Sequence, residues 1–189
     1  MTEKEKMIAG EYFHSDVEEL TNARRRVKDL CFQYNNLKPS DIKNRDILLR
    51  KILGKTGEKI AIESDFWCDY GYNISVGNNF YMNHGCIILD CAKVTFGNNV
   101  LIAPNCSFYT VGHPFNVEKR NKWIEIAKPI TVGNNVWLGG NVTVLPGVTI
   151  GDNVVIGAGS VVTKNIPSNT LAYGNPARVI REIGEEEKN

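Results

Sequence analysis

Among the side chains of this sequence, His113 is the one best placed to move a proton. The chain holds three histidines, His14, His84 and His113. An imidazole with a reference pKa of about 6.5 can take a proton from a hydroxyl, itself a poor nucleophile, and hand it on to a leaving group. His14 falls in a helical N-terminal stretch and His84 within a run of repeats. His113 stands in Gly112-His113-Pro114, at the root of a segment running to Trp123 that breaks those repeats. Loops on repeat proteins gather on the binding face, which favours catalysis over a tolerated surface insertion.

The repeat that His113 interrupts has a beat of six. Val132, Leu138, Val144, Ile150, Ile156 and Val162 recur at every sixth position, and glycine follows at Gly133, Gly139, Gly151 and Gly157. Val136, Val142, Val148, Val154 and Ser160 keep the same beat four residues on. Neither a helix nor an alternating strand gives this period; a short strand followed by a tight corner does. The expected fold is mainly β, a parallel β-helix of hexapeptide repeats with an N-terminal α-helical cap and a protruding loop. Upstream, Val76, Met82, Ile88 and Val94 carry the beat, and Phe96, Ile102 and Phe108 resume it after a two-residue slip. Residues 60–167 supply about six coils, a stack of ~25 Å. Asn78-Asn79, Asn98-Asn99, Asn134-Asn135 and Asp152-Asn153 sit at one place in the beat and are expected to turn its corners.

The expected divisions are a helical cap over 1–57, the β-helix over 58–167 with its excursion at 113–129, and a C-terminal extension over 168–189. In the cap, Thr2 with Glu5 and Ser15 with Glu18 read as capping boxes. Val17, Leu20, Val27, Leu30 and Tyr34 form one apolar face. A third helix opens at Ser40 or Asp41, carries Ile42, Leu48, Leu49 and Ile52, and ends at Gly54. A net charge of +1 gives no pull toward nucleic acid, and no apolar run reaches the length of a membrane helix. Met1-Thr2-Glu3-Lys4-Glu5 is too charged to open a secretory signal, so the cytoplasm is expected. The five cysteines form no CxxC pair and read as reduced thiols, several of them filling core corners.

Several motifs together resemble the maltose and galactoside O-acetyltransferases, with the maltose type nearest. They are Met7-Ile8-Ala9-Gly10-Glu11, Asp69-Tyr70-Gly71-Tyr72-Asn73, Gly112-His113-Pro114, Val136-Trp137-Leu138-Gly139-Gly140 and Gly174-Asn175-Pro176-Ala177-Arg178. The resemblance implies a left-handed coil, an exception to the usual crossover hand. It also implies a homotrimer binding acetyl-CoA between subunits, with a small sugar such as maltose or glucose as acceptor. His113 matches the family's catalytic histidine and Asn83 its active-site asparagine. An amide donor at Asn83 could stabilise an oxyanion; the alternative is an asparagine bonded within the coil. Tyr81 and Asp69 match acceptor positions, while Ser15, Asp16, Arg24 and Glu125 are further acceptor candidates that could equally be solvated surface groups. Trp137 falls at an outward point of the repeat and is expected to line the acyl pocket. For coenzyme A, Gly140, Ala158 and Thr163 offer close backbone approach, and Lys164, Arg178 and Arg181 suit its phosphates. The alternative for that basic group is a terminus balancing Glu185-Glu186-Glu187. The departures from the family pattern, His84-Gly85, Cys91 and Gly140, bear on acceptor identity.

Three other readings compete. A hexapeptide acetyltransferase could act on an antibiotic, a serine or an amino-sugar nucleotide instead. A zinc hydrolyase of the γ-carbonic-anhydrase kind would need clustered histidines, and these three share no spacing that brings them together; no metal is expected. A non-catalytic solenoid would have no reason to interrupt its faces with Gly-His-Pro and a long loop.

Overall fold

The computed structural model describes residues 1–184; Glu185-Glu186-Glu187 lie outside the described residues. The cap comprises α1 (Glu3–Ala9), β1 (Phe13–His14), α2 (Glu18–Asn35) and α3 (Ile42–Ile52). The first coil has β2 (Ile60–Ile62), β3 (Trp67–Cys68) and β4 (Ile74–Val76), and the second β5 (Phe80–Met82), β6 (Ile87–Leu89) and β7 (Val94–Phe96). The third coil runs through β8 (Leu101–Ile102) and β9 (Ser107–Tyr109). It then leaves as β10 (Val111–Gly112), α4 (Val117–Asn121) and β11 (Ile124–Ala127), and closes with β12 (Ile130–Val132). Below follow β13 (Trp137–Leu138), β14 (Thr143–Val144), β15 (Thr149–Ile150), β16 (Val155–Ile156) and β17 (Val161–Val162). β18 (Thr170–Gly174) pairs in parallel with β16, so the solenoid continues past residue 167, and β19 (Ala177–Glu182) turns back antiparallel along it.

The result is a β-solenoid of about six turns. Its three walls are the sheets β4-β7-β12-β15, β2-β5-β8-β13-β16-β18-β19 and β3-β6-β9-β14-β17, called here the first, second and third walls. Each anchor of the six-residue beat points inward: Val132, Leu138, Val144, Ile150, Ile156 and Val162 are all buried. Phe96 packs on Phe80 and Phe108, with ring centroids 5.2 and 5.0 Å away, so one aromatic from each wall meets at the axis. All five cysteines are free and buried: Cys86, Cys91 and Cys106 stand at corners of the coil, whereas Cys31 is in α2 and Cys68 on β3.

The asparagine pairs turn the corner between the first and second walls, and the two members work differently. Asn79, Asn99, Asn135 and Asn153 take left-handed backbone, with φ of 55–56°, which asparagine tolerates. Their side chains bond down the stack, Nδ2 to Oδ1, at 2.9–3.0 Å. The preceding residues use their side-chain oxygen to accept a backbone N–H from the coil above, as Asn98 does from Asn78 at 2.8 Å.

Coil length varies by corner. Partners in the lower stack are 18 residues apart (Thr131 with Thr149), but in the first coils they are 20 apart (Ser75 with Thr95). Both extra residues fall between the third wall and the first, where Asp69, Asp90 and Cys91 lie. The excursion leaves from this same corner. Its β11 pairs antiparallel with β10 and, on its other edge, with β1 of the cap.

The cap differs from expectation in three places. Thr2 and Glu5 do form a capping box, but α2 begins at Glu18 behind Val17, with no side-chain cap. The Ser15 hydroxyl is committed instead to the Trp123 carbonyl at 3.2 Å. In α3, Asp41 caps the helix, while Ile42 is exposed in its first turn. Arg45 is buried instead, donating to the Tyr34 hydroxyl and the Ile62 carbonyl at 2.9 Å each. Gly54 follows the C-cap Leu53, where a side chain would run into the Tyr72 carbonyl.

Candidate active site

The excursion, the cap and the long-coil corner enclose a cavity of about 660 Å³. Six of the site residues expected from the sequence line it, His113, Asp69, Glu125, Ser15, Asp16 and Arg24, as does Cys91, noted there as a departure from the family pattern. Sequence reasoning did not pick out Thr21, Lys28, Leu89, Tyr109 and Trp123, which line it too. The 20-residue spacing of the first coils was the available signal, because it marks the corner where the wall bulges.

His113 follows β10 and faces β11. Its Nδ1 lies 3.1 Å from the Ile124 carbonyl oxygen, which can only accept, so in the neutral ring Nδ1 carries the hydrogen and Nε2 keeps its lone pair. Nε2 is 3.9 Å from Glu125 Oε1, and the imidazole is 42 % exposed against 17 % for the glutamate. Burial raises the Glu125 carboxyl above its usual range, with the Ser15 hydroxyl, His113 and Arg24 pulling the other way. Asp69 is also raised by burial, opposed by Lys28 and Arg24. Arg24 spans the floor, donating to the Tyr70 hydroxyl at 2.6 Å and to the Ser15 carbonyl at 2.5 Å. The cavity thus presents carboxyl groups, cations and, in the neutral imidazole, one ring nitrogen that can accept a proton, a set suited to holding hydroxyl groups and deprotonating one of them.

Asn83 lies elsewhere in the protomer. It follows β5 at the corner where the second wall meets the third, whereas His113 leaves where the third meets the first. The third wall, taken along the length of its strands from one corner to the other, lies between them. The Asn83 Oδ1 accepts the His84 backbone N–H at 2.8 Å, which turns its amide hydrogens toward other acceptors. Tyr81 and Trp137 stand in one outward row of the second wall, through Leu101, and Trp137 is 53 % exposed. Gly140 and Ala158 share the Asn83 corner. A Cβ at Gly140 would meet only the Pro104 carbonyl, at 3.5 Å, and one at Gly159 nothing within 4 Å, so the backbone here is open to a close-lying chain. Arg178, on β19, is near this corner and Arg181 is further along the same strand. Thr163 and Lys164 follow β17, at the His113 corner, so one protomer does not gather Lys164 with Arg178. Among the described residues, no group of three or more His, Cys, Asp or Glu side chains could hold a metal ion, and no helix is long and apolar enough to cross a membrane.

Residues 6–57 match the family model for the maltose acetyltransferase hexapeptide capping motif, and residues 129–164 match that for the bacterial transferase hexapeptide. A maltose O-acetyltransferase structure from Clostridium difficile superposes with a TM-score of 0.96 at 50% identity, covering 98% of this chain and 99% of the other. The chain belongs to the maltose and galactoside O-acetyltransferase family. A galactoside acetyltransferase in complex with coenzyme A matches at 45% identity and TM-score 0.96, covering 100% of this chain and 94% of its own. A hexapeptide-repeat acetyltransferase from Vibrio cholerae, complexed with acetyl-CoA, matches at 37% identity and TM-score 0.90, over 98% and 100% of the two chains. A Saccharomyces cerevisiae protein that is an acetyltransferase by name alone is 47% identical over 97% of this chain and 94% of its own. The protein is therefore an acetyltransferase of this type.

Proposed function

We propose that the protein moves an acetyl group from acetyl-CoA to a hydroxyl of a small sugar such as maltose or glucose, in the cytoplasm, at sites between the subunits of a homotrimer. The observation that carries this reading is His113: its Nδ1 is fixed on a main-chain carbonyl and its bare Nε2 faces a cavity of carboxylates and cations. Acetyl-CoA would supply an activated acyl carbon and a thiolate leaving group. His113 Nε2 takes the proton of the sugar hydroxyl as that oxygen attacks, and returns it to the departing sulfur. Asn83 donates its amide hydrogens to the oxygen on which negative charge develops. Glu125, beside Nε2, favours the imidazolium during the interval between the two transfers. Asp69, Ser15, Asp16 and Arg24 bond the remaining sugar hydroxyls, with Tyr81 and Trp137 as apolar walls from the facing subunit. The open backbone at Gly140 and Ala158 receives the pantetheine arm, and Thr163, Lys164, Arg178 and Arg181 receive the nucleotide end.

The way the residues are split supports a trimer. His113 and Lys164 lie at one end of the third wall, Asn83, Gly140 and Arg178 at the other. A neighbour related by threefold rotation can bring its His113 end against this protomer's Asn83 end, joining both pairs by one contact. Free-thiol release from acetyl-CoA, measured over maltose, glucose, serine, an amino-sugar nucleotide and aminoglycoside antibiotics, tests the acceptor. Release with the sugars alone is expected. Release with any of the others and none with the sugars would replace this reading.

A further inference from the structure

Asp90 is a buried carboxyl that the proposed mechanism leaves without a task. It follows β6 at the long-coil corner and is 0 % exposed. One carboxyl oxygen, Oδ1, accepts two main-chain N–H groups of the coil above, from Asp69 at 3.0 Å and Tyr70 at 2.8 Å. Its own carbonyl accepts the Asn73 amide at 2.7 Å. Three bonds therefore clamp residues 69–73 onto a single residue one coil below. The other carboxyl oxygen, Oδ2, is buried with no hydrogen-bond partner among the described residues. A bare buried carboxylate oxygen is a costly way to satisfy two amides, and burial moves this carboxyl up to about 7.

The two amides it holds belong to residues that shape the cavity. Asp69 contributes its carboxylate to the lining. Tyr70 is itself buried, but its hydroxyl accepts the Arg24 Nη1 at 2.6 Å, and Arg24 Nη2 reaches the Ser15 carbonyl. We propose that Asp90 is a positioning residue for the acceptor: by fixing the Asp69–Tyr70 backbone it sets where the Asp69 carboxylate and the Arg24 guanidinium stand in the cavity. The inference rests on reading that cavity as the acceptor's. It also accounts for the two extra residues of the first coils, since an 18-residue coil would leave no bulge for Asp90 to clamp.

Steady-state kinetics with maltose and acetyl-CoA test it. Asp90→Ala should raise the KM for maltose by about tenfold or more, the loss expected when two buried amides are left unpaired, while the KM for acetyl-CoA moves less than about twofold. Asp90→Asn keeps an oxygen in the Oδ1 place and should recover most of that loss. Hydrogen exchange at the Asp69 and Tyr70 amides should quicken in the alanine variant and return toward the original rate in the asparagine one. Tyr70→Phe removes only the Arg24 contact and should raise the maltose KM on its own, which keeps the test open if the alanine variant does not fold. A fall in kcat with both KM values intact, an equal rise in both, a Tyr70→Phe enzyme with unchanged maltose KM, or an Asp90→Asn enzyme as impaired as the alanine one would each overturn the proposal. Wild-type failure to acetylate maltose or glucose would sink the sugar reading instead, and the amide exchange would still decide whether Asp90 holds those two residues.

Discussion

At the scale of single residues, one carbonyl oxygen decides what His113 can do. Ile124 can only accept at Nδ1, so the basic nitrogen faces the cavity before any substrate arrives. His113→Ala should lower kcat by on the order of 10² or more, with the melting temperature and oligomeric state unchanged; near-normal turnover would remove the imidazole from the mechanism. Asp90 carries a separate, acid-base prediction. Asp69 and Cys68 of the coil above and Cys31 of α2 face it, and its folded value of about 7 lies above that of an unfolded aspartate, about 3.9. The native state thus keeps a proton that the unfolded chain has released. Its contribution to stability is complete below about pH 4 and is lost as pH rises toward 7. Denaturation of wild type against Asp90→Asn should show that difference falling across the window, with a limiting slope of about 1.4 kcal/mol per pH unit; a flat difference would mean that Asp90 is ionised throughout. The sequence made His113 legible because Gly-His-Pro interrupts a strict repeat. It did not reveal Asp90, because a buried aspartate beside a corner has no periodic mark.

At the scale of elements, the six-residue beat was the strongest written signal, since a missed inward anchor would break three packed walls at once. The corner asparagines were equally legible, because left-handed backbone restricts the residue type. The vertical bonding between coils was not, as it joins residues 16 to 36 apart. Asn135→Ala should cost roughly 2–3 kcal/mol, combining the left-handed penalty with the bonds to Asn99 and Asn153. Asn135→Gly should recover about 1 kcal/mol of it. Chemical denaturation checks both, and equal losses in the two variants would show that backbone conformation contributes nothing there. The cap was read less well. Ser15 and Glu18 spell a capping box, yet the Ser15 hydroxyl bonds the Trp123 carbonyl, a partner 108 residues away that no local pattern announces.

At the scale of the whole molecule, the division of residues between the two ends of the third wall makes a prediction about mixtures. If each site takes His113 from one subunit and Asn83 from the next, His113→Ala and Asn83→Ala proteins are each inactive alone. Unfolded together in equal amounts and refolded, they should regain about a quarter of wild-type activity, the fraction of contacts at which both intact residues meet. No recovery, with trimers confirmed by light scattering, would place both residues of a working site in one subunit. The six-residue period alone does not say which ends of the walls carry function, since all three corners share it; the coil lengths and the excursion mark the His113 corner, and nothing in the period marks the Asn83 one.

The antiparallel pairing of Phe13 and His14 with Glu125 and Ile124 gives the molecule a second route between distant parts of the chain. The ribbon bearing the imidazole is stitched by main-chain bonds to the first fifteen residues, and Ile124 is at once a rung of that seam and the holder of Nδ1. Trimming or tagging the leading end would thus detune the proton carrier while leaving the prism standing, and a protein that still looks sound by every bulk measure could have lost its chemistry.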